Sequence, residues 1–121
     1  MVANTGIAEN IPVAEDKWDH VMDVNAKGTF LCYKYAGMQM IMQGNGRRII
    51  SASSIYGKQG GAVNFAYTAS KFAIRGLTQA ATLEFSSRGI TVSAYAPGAI
   101  DNDMLADIAT EDYLTRLLSR A

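Results

Sequence analysis

Residues 48–98 read RIISASSIYGKQGGAVNFAYTASKFAIRGLTQAATLEFSSRGITVSAYAPG, and this stretch decides the fold. Arg48-Ile49-Ile50-Ser51-Ala52-Ser53 has the short apolar character of a buried strand. A glycine-bearing loop follows, Gly57-Lys58-Gln59-Gly60-Gly61. From Asn64 to about Ser87 the spacing is helical. Ala66, Ala69, Ala73, Gly76 and Ala80 put small side chains along one side of that helix, which permits close backbone approach. Gly89 stops it, and Ile90-Thr91-Val92-Ser93-Ala94-Tyr95 forms a second strand, ended by Pro97-Gly98. Strand, helix and strand in this order imply parallel strands joined by a crossover. Open parallel sheets bind ligands beyond the carboxyl ends of their strands. Ser54 and Pro97-Gly98 both stand at that end.

Upstream, Pro12 is followed by Val13-Ala14-Glu15-Asp16, whose acids suit a helix first turn. Trp18, Val21, Met22, Phe30, Leu31, Tyr33, Met38 and Ile41 recur at roughly helical spacing. The expectation is one long helix from about Ala14 to Gln43, kinked near Asn25 or Gly28 and ended by Gly44-Asn45-Gly46. Cys32 is expected as a small core residue, and Met38, Met40 and Met42 as packing. His20 is read as structural or exposed. Asp101 to Arg120 reads as one or two short amphipathic helices.

The 121 residues suit one domain, and a chain of this size buries a core without disulfides or metals. Hydrophobic residues make up 49% and charged residues 18%, which argues for a globular chain. A net charge of zero argues against a nucleic-acid partner. No apolar run approaches the ~20 residues of a membrane span. Met1 to Asn10 carry no basic-then-apolar leader pattern. The single cysteine cannot form an internal disulfide, which fits a reducing compartment. A cytoplasmic protein is expected.

Tyr67 and Lys71 are four residues apart on the expected helix and share a face. A phenol ionises near ~10, and a neighbouring ammonium favours the phenolate, so this pair suits general acid–base work. Ser54 could donate a hydrogen bond to a carbonyl oxygen on which negative charge develops. Such a pair also arises by chance; its position after a strand-end serine and a glycine loop raises its weight. Ser53 competes with Ser54 as the strand-end hydroxyl. Asn25 alone could simply break a helix, and Pro97-Gly98 could be an ordinary turn. The Gly57–Gly61 loop lacks both the P-loop Lys-Ser/Thr ending and the Rossmann spacing, so it is read as a connection.

Tyr67-Thr68-Ala69-Ser70-Lys71 resembles the tyrosine–lysine signature of short-chain dehydrogenases/reductases. Thirteen residues separate Ser54 from Tyr67, as is common in that family. Val2-Ala3-Asn4-Thr5-Gly6-Ile7 is similar to the family's Asn-Ala-Gly turn after its fourth strand, with Thr5 in place of alanine. Asp23-Val24-Asn25-Ala26-Lys27-Gly28 matches the segment carrying the family's asparagine, and Ala96-Pro97-Gly98 the loop after the sixth strand. These landmarks fall in family order across nearly the whole chain.

The resemblance implies an α/β fold, a partial Rossmann-like doubly wound parallel sheet made of the family's strands four to six and their helices. Residues 1–121 would be the catalytic portion of a single domain, incomplete at both ends. The family's opening turn, G-x-x-x-G-x-G, does not occur in the chain. The implied activity is hydride transfer between NAD or NADP and a carbonyl or secondary alcohol. Tyr67 would pass the proton, Lys71 would hold the nicotinamide ribose and assist Tyr67, and Ser54 would orient the carbonyl. Asn25 would kink its helix and anchor a water in the relay to Lys71. Asn4, Gly6, Pro97, Gly98, Ile100 and Asn102 would border the cofactor, with Tyr67 and Lys71. Asn102 stands where the family commonly has a threonine, and asparagine can both donate and accept.

Lys27 to Tyr35, with Ser53 to Gly60, is similar to acetoin/diacetyl reductases within the family. A 3-oxoacyl-thioester reductase is the competing enzyme. The family's two long helices commonly form a subunit interface, so a homo-oligomer, dimer or tetramer, is expected. A non-enzymatic reading keeps that association without catalysis, as an interaction or scaffold protein. No metal is expected.

Overall fold

The computed structural model describes residues 1–4, 6–7, 15–61 and 65–98. Three strands, β1 (Val2–Ala3), β2 (Arg48–Ala52) and β3 (Thr91–Tyr95), form one sheet in the order β1-β2-β3. Both pairings are parallel, with Val2 opposite Ile50 and Ile49 opposite Val92. Helices α1 (Glu15–Met22) and α2 (Gly28–Gln43) lie between β1 and β2, and α3 (Phe65–Phe85) lies between β2 and β3. This is the α/β crossover arrangement that the strand–helix–strand pattern implies. The expected helices beyond Asp101 and the Pro12 helix start lie outside the described residues.

Alternation along β2 sets the core. Ile49 and Ser51 point to the helices and are buried, whereas Arg48 and Ile50 are exposed on the other face. Ile49 joins Tyr33, Ala81, Phe85, Ile90 and Val92 in one cluster, flanked by Ala36, Met40, Ile41 and Leu77. The described parts of α2 and α3 therefore cover one face of the sheet. Each fully buried aliphatic side chain, such as Ile49, Ile74 or Ile90, contributes about 1.5–3 kcal/mol.

A chain of hydroxyls crosses this core. The Tyr33 hydroxyl is hydrogen-bonded to Ser51 Oγ and, at 2.8 Å, to Thr78 Oγ1. Thr78 Oγ1 donates to the Ile74 carbonyl at 2.7 Å. With its proton so committed, Thr78 accepts from Tyr33, and Tyr33 in turn accepts from Ser51. The chain ties β2, α2 and α3 together with each hydroxyl partnered.

The expected long helix is interrupted by a π-helical turn, Asp23–Lys27. The Gly28 N–H reaches back five residues to the Asp23 carbonyl, while Gly28 itself keeps ordinary helical angles, so the irregularity lies in the turn that contains Asn25. Thr29 Oγ1 donates to the Asn25 carbonyl at 2.7 Å, as threonines in helices commonly do to the carbonyl four residues back. Gly44 and Gly89, with φ of 75° and 70°, end their segments in the left-handed region as expected.

Several packing expectations are corrected. Cys32 is exposed, as are Trp18, Phe30, Leu31, Met38 and Met42. The inward stripe of α2 is Thr29, Tyr33 and Gly37, spaced four apart, and the larger apolar side chains fall beside it. At Gly37 the Phe85 ring comes so close that a Cβ would lie 2.4 Å from it. His20 is exposed. On α3 the small residues Gly76 and Ala80 are exposed rather than packed on a described neighbour.

Candidate active site

The site grows from the carboxyl end of β2. The Ser53 N–H donates to the Tyr95 carbonyl at 2.8 Å, and the Ile55 N–H to the Pro97 carbonyl at 2.9 Å. Sheet-like pairing thus continues past both strands and holds the Pro97-Gly98 loop beside Ser54 and Ile55. Ser54 is extended, and its Oγ accepts the Tyr56 N–H at 3.2 Å, opening a 3-10 turn over Ile55–Gly57. Because Oγ accepts in that contact, its own proton remains available for a ligand. Ser53 points elsewhere: its Oγ donates to the Lys71 carbonyl at 3.1 Å. Geometry therefore separates the two competing serines.

Tyr67 and Lys71 project from the first turns of α3. Lys71 is only 5% exposed, and its Nζ donates to the Ala52 carbonyl at 3.1 Å. Its Nζ stands 5.5 Å from the Tyr67 ring centroid. Burial lowers the Lys71 pKa from 10.5 to about 8. Tyr56 meets the Tyr67 ring edge to face, with centroids 6.2 Å apart. The turn that begins at Ser54 therefore braces the tyrosine.

Asn25 is fully buried. Its Oδ1 accepts the Ile7 N–H at 2.7 Å, and its Nδ2 donates to the Ile7 carbonyl at 2.8 Å and to Ser70 Oγ at 3.0 Å. Ser70 Oγ then donates to the Tyr67 carbonyl at 2.7 Å. The asparagine amide thereby links the segment after β1 to the helix carrying Tyr67. Gly6 completes the cluster: a Cβ there would lie 3.3 Å from both Asn25 Oδ1 and Lys71 Nζ. The bare backbone of Gly6 leaves space over the lysine ammonium. Asn4 accepts a hydrogen bond from the Tyr95 hydroxyl, reaching from β3 across to the end of β1.

The structure thus brings Asn25, Gly6, Lys71 and Tyr67 into one neighbourhood, with Ser54, Pro97 and Gly98 along the neighbouring strand ends and Asn4 tied in by Tyr95. Ile100 and Asn102, expected at the cofactor, lie outside the described residues, as does Thr5. Four groups escaped the sequence reading as site members: Ile7, Tyr56, Ser70 and Tyr95. Ser70 had a usable signal, since a serine three residues after Tyr67 on a helix can reach back to its carbonyl. Tyr95 had none, because its partner lies two strands away.

The donor set suits a nicotinamide nucleoside. Lys71 Nζ carries three donors, and among the described residues Ala52 takes one. Further donors on Nζ could serve a vicinal diol, and Gly6 meets the ammonium without a side chain.

Comparison with known proteins gives the family. The family model for short chain dehydrogenases matches residues 1–112. A short-chain dehydrogenase/reductase of Armillaria gallica is 50% identical over 107 residues, covering 86% of this chain and 41% of that protein. The 3-oxoacyl-[acyl-carrier-protein] reductase FabG of Staphylococcus aureus is 42% identical over 123 residues, covering 97% of this chain and 50% of that protein. The crystal structure of acetoin dehydrogenase from Enterobacter cloacae superposes with a TM-score of 0.81 at 34% identity, covering 91% of this chain and 45% of that one. The chain spans half or less of the length of these relatives. With the strand-end serine, the paired tyrosine and lysine and the buried asparagine in one α/β frame, the chain belongs to the short-chain dehydrogenase/reductase family.

Proposed function

We propose that these residues form the hydride-transfer site of an NAD- or NADP-dependent reductase of carbonyls, acting in reverse on secondary alcohols. The supporting observation is Lys71, a buried cation held beside the Tyr67 ring and donating to the strand end at Ala52. When bound, the nicotinamide supplies or takes the hydride. Ser54 donates to the substrate carbonyl oxygen and stabilises the charge that gathers there. Tyr67 delivers its phenolic proton to that oxygen during reduction and takes it back during oxidation. The Lys71 ammonium favours the phenolate left behind and holds the ribose hydroxyls. Asn25, through Ile7 and Ser70, holds the lysine and tyrosine in register.

Acetoin or diacetyl is the proposed substrate type, supported by similarity to the Enterobacter cloacae acetoin dehydrogenase. A 3-oxoacyl thioester is the second reading, favoured by the Staphylococcus aureus relative. Assays with diacetyl and with an acetoacetyl thioester, each with NADH and NADPH, separate the two. These use a version of the chain extended to its relatives' length. A faster rate on the thioester would replace the first reading with the second.

A homo-oligomer, dimer or tetramer, is proposed from the exposed apolar residues of α2 and α3, with a second copy as their cover. An inactive but stably associating chain would favour the scaffold reading. Among the described residues no helix is long and apolar enough to cross a membrane. A cytoplasmic location is proposed on the lone cysteine.

A further inference from the structure

Lys71 is gripped twice by consecutive residues of one strand end. Its Nζ donates to the Ala52 carbonyl at 3.1 Å. Its main-chain carbonyl accepts from Ser53 Oγ, also at 3.1 Å. A mid-helix carbonyl has a second lone pair beyond the one facing its own ladder, and Ser53 uses it. Ser53 is 7% exposed, so little water competes for that bond.

Space for the Ser53 hydroxyl exists because residue 57 is glycine. A Cβ on Gly57 would fall 2.1 Å from Ser53 Oγ and 2.9 Å from the Lys71 carbonyl oxygen. The second of these neighbours is backbone, so it cannot simply rotate away. The 3-10 turn Ile55–Gly57 therefore lies with bare backbone against α3, and the serine hydroxyl is enclosed between them.

We propose that Ser53 and Gly57 form a clamp that positions Lys71, setting the depth of its ammonium against the carboxyl end of β2. Neither residue touches substrate in this account; both are positioning residues acting through Lys71. The proposal rests on the reading of Lys71 as the cation of the site. It also assigns adjacent serines separate tasks: Ser54 faces the ligand, and Ser53 faces the helix. Releasing the clamp lets α3 and the strand end part, and water reaches Nζ.

The test reads Lys71 directly and needs no turnover. The chain is labelled with carbon-13 lysine and titrated by NMR at the Cε position. Lys71 is assigned by the signal lost in Lys71→Met. The unmodified chain should show Lys71 titrating at about 8. In Ser53→Ala the midpoint should rise by about one pH unit as hydration returns. Gly57→Ala, which wedges the turn off the helix, should raise it at least as far. Val92→Ala, a cavity in the core cluster with Ile49 and Phe85, should lower the melting temperature and leave the midpoint in place. A midpoint unmoved in Ser53→Ala overturns the clamp, even if Gly57→Ala fails to fold. A midpoint moved as far by Val92→Ala also overturns it, since Lys71 would then be following general loosening. Failure of the hydride-transfer reading would appear separately, as absent reduction with these titrations intact.

Discussion

The crevice at the end of β2 and the outward faces of α2 and α3 invert the usual placement of polar and apolar groups. In the crevice, Lys71 is 5% exposed and Asn25 and Ser70 are fully buried. On the outer faces, Met42 is 80% and Leu83 82% exposed, with Phe30, Tyr35, Phe65 and Phe72 also in the open. A buried polar group is costly unless partnered, and each of these three has a partner. The exposed apolar groups have no such compensation within the described residues. Stability alone explains neither region. The crevice accepts the cost of burying a cation because the proposed chemistry needs one. The outer faces keep apolar surface that a second copy would cover.

After loss of the Tyr67 hydroxyl, the largest effect should come from removing the ligand-facing hydroxyl beside it. Ser54→Ala should lower carbonyl reduction by about 10²–10³-fold in the length-extended chain, read from steady-state rates. Its fold should be unchanged, since the turn loses only one weak acceptor.

Lys71 tests the cost side of the comparison. Its folded pKa, about 8, lies below the ordinary 10.5, so the unfolded chain binds more protons between those values. Stability should therefore rise as pH climbs from about 8 towards 10.5. The burial penalty is fully present below pH 8. The gain is at most about 3.5 kcal/mol, at ~1.4 kcal/mol per unit. Lys71→Met should abolish this pH dependence and be the more stable protein at pH 7, as urea unfolding would show. A flat profile in the unmodified chain would remove the buried cation from the account.

Beneath the crevice, Tyr33→Phe should cost about 1–3 kcal/mol, because Ser51 and Thr78 lose a buried partner. Gly37→Ala should cost about as much by forcing the Phe85 ring aside. The outer faces should respond in the opposite sense. Met42→Glu with Leu83→Glu should shift sedimentation towards monomer while changing the intrinsic stability of the fold by no more than about 0.5 kcal/mol per site. A large loss of stability in the isolated chain would mean that these side chains are core after all.

Much of this frame is legible in the residues. Strand periodicity and glycine stops place β2, α3 and β3 within a residue or two, because those signals are local. Asn25 marks the irregular turn between α1 and α2, although the partner its side chain meets there, Ile7, lies eighteen positions away. The inward stripe of α2 was not legible. Thr29, Tyr33 and Gly37 look less apolar than Phe30, Leu31 and Met38, and helix phase follows what the neighbouring helix offers. Cys32 was misplaced for the same reason. At the site, the spacing of Tyr67 and Lys71 alone is a chance-prone signal that gains weight from the strand-end serine and the family resemblance, whereas the distinct surroundings of Ser53 and Ser54 emerge only from what each hydroxyl meets in space.

The most direct measurement is the rate of diacetyl reduction by the length-extended chain with Tyr67 intact and with Tyr67→Phe. The phenylalanine variant keeps the ring against Tyr56 and removes the hydroxyl that carries the transferable proton. The account predicts saturable consumption of NADH or NADPH by the intact chain and a loss of about 10²–10⁴-fold in the variant, with an unchanged melting temperature. An equal rate in the two proteins would contradict it, because the proton would then come from elsewhere.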